Sequence, residues 1–195
     1  MAESPAFESP VVRSYATGDG TGSLVLSDVS ATTKWLVRAS ADSATAERLQ
    51  APFGASVTAP GGALVLGSRP GEWIIIGSAD AVGEAVAGLD AAGDDFVSVL
   101  DWTHGRALFR VTGSDAPRML EKVCSLDWSD PMTPDGAAAS ASVAKVTCDI
   151  ARNDVAATAS YLVFCDRSFG QYLFDALIDA GEEFGLVVGP ESAPA

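Results

Sequence analysis

Basic charge is scarce in this 195-residue chain: 12 lysines and arginines stand against 26 aspartates and glutamates, for a net charge of −14. An acidic surface repels phosphates, which argues against nucleic acid or an anionic membrane as a partner. Such charge serves solubility or draws a basic partner. Histidine occurs once, at His104. The three cysteines, Cys124, Cys148 and Cys165, lie far apart in apolar runs. Without a CxxC pair or a cysteine–histidine cluster, no metal site is expected, and an odd count without a framework fits a reducing compartment. No apolar run approaches the roughly 20 residues that span a bilayer. The start, MAESPAFESP, is acidic and not basic-then-apolar, so no signal peptide is read. The expectation is a cytoplasmic protein. Walker A, GxGxxG and GxSxG patterns are absent as well, leaving no phosphate cradle and no nucleophile elbow.

What is present is a substantial core. Hydrophobic residues make up 48% of the chain and charged residues 19%; a chain of this size buries roughly 70% of its unfolded surface. Residues 1–23, with Pro5, Pro10 and TGDGTG, read as an extended or mobile arm, and 190–195 as a frayed tail. Between them the pattern alternates. KWLVRAS (34–40) predicts a strand with Trp35, Val37 and Ala39 on one face. DSATAERLQ predicts a helix capped by Asp42 or Ser43. ALVLGSRPGEWIIIG predicts two strands about a Pro70-Gly71 turn. SADAVGEAVAGLDAAG predicts a helix from a Ser78 cap to a Gly93 stop, and DFVSVLDW a further strand.

The second half repeats this order. RALFRVTG (106–113) is a strand, and SDAPRMLEKVCSLD (114–127) a helix capped by Ser114 or Asp115, with Pro117 in its first turn. SASVAKVTCDIAR and TASYLVFCDRS are two long strands about a loop at Asn153-Asp154. SFGQYLFDALIDAGEEFG is an amphipathic helix with Tyr172, Leu173, Leu177 and Ile178 on one side, and LVV is a last short strand. Both halves therefore read β-α-β-β-α-β. The fold class is α+β, two tandem ferredoxin-like units packed as one body: 24–100 the first, 101–189 the second. WLVRASADSATAERLQ and LFRVTGSDAPRMLEKV run alike through strand, arginine, polar cap and helix.

Candidate chemistry gathers around DWTHGRALFRVTG. A catalytic histidine needs a nucleophile within reach and a carboxylate to orient it; Thr103, Asp101 and Cys124 are the candidates. The commoner outcome is a turn histidine bonded to backbone. Arg167, where DRSFG passes from strand to helix beside a Ser168 cap, either binds an anion or pairs with a neighbouring acid. Asp94-Asp95 and Glu182-Glu183 flank glycines and read as solvated charge. The four tryptophans fill a core or an interface, or stack on a ring-shaped ligand. Thr103, His104, Arg106 and Arg167 are the candidate partner contacts, with Arg106 giving a bidentate contact to a carboxylate on another chain.

DWTHGRALFRVTGSDAPRMLEKVCSLDW, then YLVFCDRSFGQYLFDALIDAGEEFG, with the earlier PGEWIIIG, resembles the gamma subunit of heterotetrameric sarcosine oxidase over residues 34–188. Thr103 departs from that family, which has serine there, but keeps the hydroxyl. The resemblance implies a fold like the folate-binding domains of the glycine-cleavage T-protein family. It implies alpha, beta and delta subunits as partners, in a complex that oxidatively demethylates sarcosine to glycine. That complex uses FAD, covalently held FMN and a bound NAD, passes the one-carbon unit to tetrahydrofolate and releases hydrogen peroxide. The flavin and folate chemistry belong to the beta and alpha chains, so this chain is expected to be non-catalytic, with no catalytic, cofactor-binding or metal residue of its own. One alternative is a free-standing folate-binding protein or aminomethyl transferase, its pterin held by Arg167, the tryptophans and a first-half cleft. Another is a small hydrolase using His104 and Cys124.

Overall fold

The computed structural model describes residues 6–13, 15–16, 23–89 and 96–190. Its strands are β1 (Leu24–Asp28), β2 (Thr33–Ala39), β3 (Ser56–Thr58), β4 (Leu64–Arg69), β5 (Glu72–Gly77), β6 (Val97–Asp101), β7 (Arg106–Gly113), β8 (Ala138–Val143), β9 (Val146–Arg152), β10 (Ser160–Asp166) and β11 (Val187–Val188). Its helices are α1 (Ala44–Leu49), α2 (Ala79–Val86), α3 (Ala116–Glu121) and α4 (Gly170–Gly181).

Two sheets form, ordered β3-β4-β5-β2-β6 and β8-β9-β10-β7-β1-β11. Each unit runs β-α-β-β-β-α-β, and each sheet has the ferredoxin-like order with one extra strand on its outer edge. The duplication seen in the sequence is therefore architectural: β2–α1 and β7–α3 hold corresponding places. One strand breaks the symmetry. β1 lies between β7 and β11, antiparallel to the first and parallel to the second. Residues 24–28, placed with the first unit by the sequence, thus complete the second sheet.

The alternation of side chains explains the layering. On β2, Val37 and Ala39 face α1 and α2 in one apolar cluster with Trp73 and Ile75. The opposite face of the same strands, with Leu36, Ile74 and Leu66, meets Leu108, Leu162 and Phe164 of the other sheet. The third cluster packs Phe109, Val111, Tyr161 and Val163 beneath α3 and α4, against Met119, Leu173 and Phe174. The molecule is a face-to-face pair of sheets with helices outside both. Both faces of the central strands are buried, so β5 reads as a continuous apolar run.

Local chemistry fixes several ends. Ser43 and Ser78 cap α1 and α2 by accepting hydrogen bonds from the Ala46 and Ala81 N–H groups. Gly71 turns β4 into β5 with φ of +72°, and a Cβ there would meet the Ala39 carbonyl at 2.4 Å. Other expectations are corrected. α2 ends at Val86, short of Gly93, which lies outside the described residues. α3 spans six residues, less than half the expected 114–127, and Asp115 at its N-cap makes no capping bond; its carboxylate accepts from Arg118 instead. SASVAKVTCDIAR is a hairpin, β8 and β9, turning at Ala144-Lys145 with φ of 46° and 69°. Neither residue is a common left-handed turn former, so the reversal left no mark in the sequence. Tyr172 is 52% exposed, off the core face of α4.

Candidate functional site

The connection from β6 to β7 brings the four candidate residues together. Thr103 donates its N–H to Asp101 Oδ1 at 2.8 Å, and its hydroxyl accepts from the Lys34 N–H at 3.1 Å. Gly105 N–H donates back to the Trp102 carbonyl, and the Arg167 N–H donates to the Gly105 carbonyl at 3.0 Å. That last bond ties the turn to the short 3₁₀ turn Arg167–Phe169 that leads into α4. His104 is exposed on the turn, its ring 5.5 Å from that of Phe7. Cys124 is enclosed in the α3–α4 core; among the described residues no hydrogen bond joins it to His104. Burial pushes the Cys148 and Cys165 thiols up to about 12, the state of a resting thiol and not a nucleophile.

Arg106 differs from expectation. Its Nη1 donates to Asp166 Oδ1 at 2.7 Å and its Nη2 to Asp149 Oδ2 at 2.8 Å, both in its own chain, while its guanidinium lies 5.0 Å from the Trp102 ring. Both ends of its fork, assigned from the sequence to another chain's carboxylate, are engaged within the fold. Among the described residues Arg167 pairs with no acid, yet it does not stand open. Its Nη2 donates to the Glu8 carbonyl, its guanidinium sits 5.5 Å from the Phe7 ring, and its Nη1 is buried without a partner among the described residues. Ser168 is not a cap; the short 3₁₀ turn Arg167–Phe169 starts from Asp166 and has no side-chain capping bond.

Two contributors escaped the sequence reading. The first is the arm. Residues 6–13 lie along the end of the second sheet: Ser9 donates to Asp28, Pro10 is buried against Gly170, and the Val12 and Arg13 N–H groups donate to Gln171 Oε1. The second is Lys34. It is fully buried, its Nζ donating to the Ser30 and Thr32 carbonyls at 2.6 and 2.7 Å beneath the Phe7 ring. Burial lowers it to about 8; Asp28 and Asp101 oppose that shift, and Arg167 and Arg106 add to it. Its strand position carried the signal: Lys34 shares a face with Leu36, and that face is sandwiched.

Among the described residues the concavities include the following two. A cavity of about 230 Å³ opens between the sheets, with Leu64, Ile76, Leu108 and Leu162 as apolar walls and Thr32 and Arg110 as polar lining. An open groove of about 640 Å³ runs beside α1, lined by Phe53, Trp73, Pro70, Asp42 and Glu47. Of the four tryptophans, Trp73 alone lines either concavity, and it is held in the core. Trp73 is 4% exposed and donates its Nε1–H to the Ala51 carbonyl, Trp128 is 2% exposed, and Trp35 and Trp102 pack on core clusters. Arg167 lines neither concavity, so the pterin constellation of arginine, tryptophans and cleft is not assembled. A pterin edge presents N–H donors and calls for a carboxylate. The charged group lining the inter-sheet cavity is a guanidinium, and its volume is below the roughly 300 Å³ at which sites for drug-sized ligands begin. Tetrahydrofolate does not fit that cavity.

Among the described residues no group of three His, Cys, Asp or Glu side chains is placed to hold a metal ion, and no helix is long and apolar enough to cross a membrane. The family profile described as the GCVT N-terminal domain matches residues 64–193. A chain of the heterotetrameric sarcosine oxidase from Corynebacterium sp. U-96, solved in complex with pyrrole 2-carboxylate, superposes with a TM-score of 0.72 at 23% identity, covering 91% of each chain. The glycine cleavage system aminomethyltransferase T from Bartonella henselae superposes with a TM-score of 0.62 at 12% identity; 87% of this chain is covered but 48% of that one. No curated protein matches by sequence.

Proposed function

Starting from the fact that the chain belongs to the GCVT N-terminal domain family, we propose that it is the gamma subunit of a heterotetrameric sarcosine oxidase, a non-catalytic chain that packs on alpha, beta and delta subunits in the cytoplasm. The observation that carries this reading is reciprocal coverage. The chain accounts for 91% of a chain in a sarcosine oxidase assembly, but for only 48% of an aminomethyltransferase. Its polar groups support the same reading. The His104 turn, Arg106 and Arg167 are spent on joining strands, arm and helix, and the resting thiols are buried. In such a complex FAD, FMN, NAD and tetrahydrofolate sit on the other chains, and this chain contributes a rigid body for them to assemble on.

Co-expression with alpha, beta and delta chains tests the proposal. The expected result is a stoichiometric complex that carries flavin absorbance and oxidises sarcosine, while the chain purified alone carries no flavin. A chain that stays monomeric beside all three partners overturns it.

Family membership favours a second reading, a free-standing folate-binding or aminomethyl-transfer protein. Titration of the isolated chain with tetrahydrofolate separates the two: tight stoichiometric binding supports the second reading and removes the first.

A further inference from the structure

The cavity between the sheets holds a charge without a counter-charge. Arg110 points from β7 into the same layer as Leu108, and it lines the cavity beside Leu162. Its Nη1 donates to Ser160 Oγ at 2.8 Å and to the Asn153 carbonyl at 3.3 Å, and its Nη2 donates to Asn153 Oδ1 at 3.2 Å. All three acceptors are neutral. Among the described residues, ion pairs engage Arg13, Arg38, Arg69, Arg106, Arg118 and Arg152, but none engages Arg110. Burial pulls its pKa down, and among the described residues no acidic neighbour restores it. A second, independent group lines the same space. Thr32 is 4% exposed, and among the described residues its hydroxyl has no hydrogen-bond partner. Natural folds rarely leave a buried hydroxyl unpaired, or a guanidinium withdrawn from water without an anion.

The lining is mixed, with Leu64, Ile76, Leu108 and Leu162 on one part and Thr32, Thr58, Asn153 and Arg110 on another, and the volume is about 230 Å³. An apolar cavity of about 150 Å³ suffices for benzene, so this one takes a short chain or a single ring plus a charged head. We propose that the inter-sheet cavity binds a small organic monoanion, a short-chain carboxylate whose apolar body lies among Leu64, Ile76, Leu108 and Leu162 and whose oxygens accept from Arg110 and Thr32. A guanidinium fork matches a carboxylate in shape and charge.

Titration calorimetry of the full chain with valerate tests it, alongside valeramide as the neutral isostere and inorganic phosphate as an anion without an apolar body. Valerate is expected to bind at one site, valeramide at least tenfold more weakly, and phosphate not at all. Amide shifts in a ¹H–¹⁵N spectrum of the wild-type chain should move at Thr32, Leu64, Ile76 and Leu108. Arg110→Met should weaken valerate at least tenfold. Leu64→Trp leaves the guanidinium in place and fills the cavity, so it should abolish binding while the near-ultraviolet circular dichroism persists. Equal binding of valerate and valeramide, shifts confined to other surfaces, or no valerate binding by the wild-type chain overturns the proposal.

Discussion

Arg106 and Asp149 meet at 2.8 Å between the two sheets, on side chains only 13% and 5% exposed. β10 lies between their strands, so the pair spans a neighbouring strand. Asp149 also accepts from Arg69 of the other sheet at 3.4 Å, and Arg69 in turn pairs with Glu72. One end of the inter-sheet layer is thus a charged seam, the middle is apolar, and the far end is the Arg110 cavity. Along β7, Arg106, Leu108 and Arg110 mark the three zones in order.

Asp149 holds that seam together, and its removal should be felt throughout the fold. Asp149→Ala leaves two guanidinium groups facing an uncharged gap, although Asp166 and Glu72 remain to each. The expected loss is about 3 kcal/mol, the low end for breaking a buried pair, read as a lower urea midpoint with an unchanged slope. Asp149→Asn, which keeps an acceptor, should lose about half as much. A stability loss below about 0.5 kcal/mol for Asp149→Ala would show the seam to be solvated.

Lys34 predicts an alkaline rise in stability. Its folded pKa of about 8 is below its ordinary value of 10.5, so between these limits the unfolded chain binds the extra proton. Stability contributed by this group therefore increases as pH climbs from about 8 to 10.5, by about 3 kcal/mol in all. Cys148 and Cys165 act oppositely. Their thiols, held near 12 by burial, ionise first in the unfolded chain, so stability falls as pH rises above 9. The measurement is the difference in unfolding free energy between wild type and Lys34→Met across pH 7 to 10.5. A difference independent of pH refutes the assignment.

The cysteines themselves give a simpler test. All three are buried, at 5% exposure or less, and two resist ionisation. Native protein should react with a disulfide reagent only as fast as it unfolds, whereas denatured protein should yield three thiols at once. Rapid labelling of Cys124 in the native chain would restore interest in it as a nucleophile.

Much of this was legible from the residues. The doubled unit, the capping serines 43 and 78, the Pro70-Gly71 turn and the run of β7 follow from local periodicity and turn chemistry. The insertion of β1 into the second sheet did not, because a strand carries no mark of which sheet receives it. The Ala144-Lys145 reversal was hidden for want of glycine or asparagine. The site was legible as a set of neighbours and not as contacts. Thr103, His104, Arg106 and Arg167 do converge, but the carboxylates that take Arg106 lie 43 and 60 residues further on, and the ring that covers Arg167 comes from the arm. Lys34 and Arg110 looked like ordinary strand polar residues until both faces of their sheets were seen to be covered.

The arm offers the last prediction. Phe7 packs within 5.5 Å of His104 and Arg167 and 6.0 Å of Lys34, so its ring shields two cations from water. Phe7→Ala removes that cover while leaving the Ser9–Asp28 and Gln171 anchors in place. The expected cost is about 1 kcal/mol, from lost ring burial and weak cation–π contacts. Water reaching Lys34 should also raise its pKa toward 10.5, narrowing the alkaline window in which stability climbs. Phe7→Leu, which keeps apolar cover without a π face, should restore most of the stability. If Phe7→Ala leaves both the melting temperature and the alkaline profile unchanged, the arm does not seat on this turn in solution.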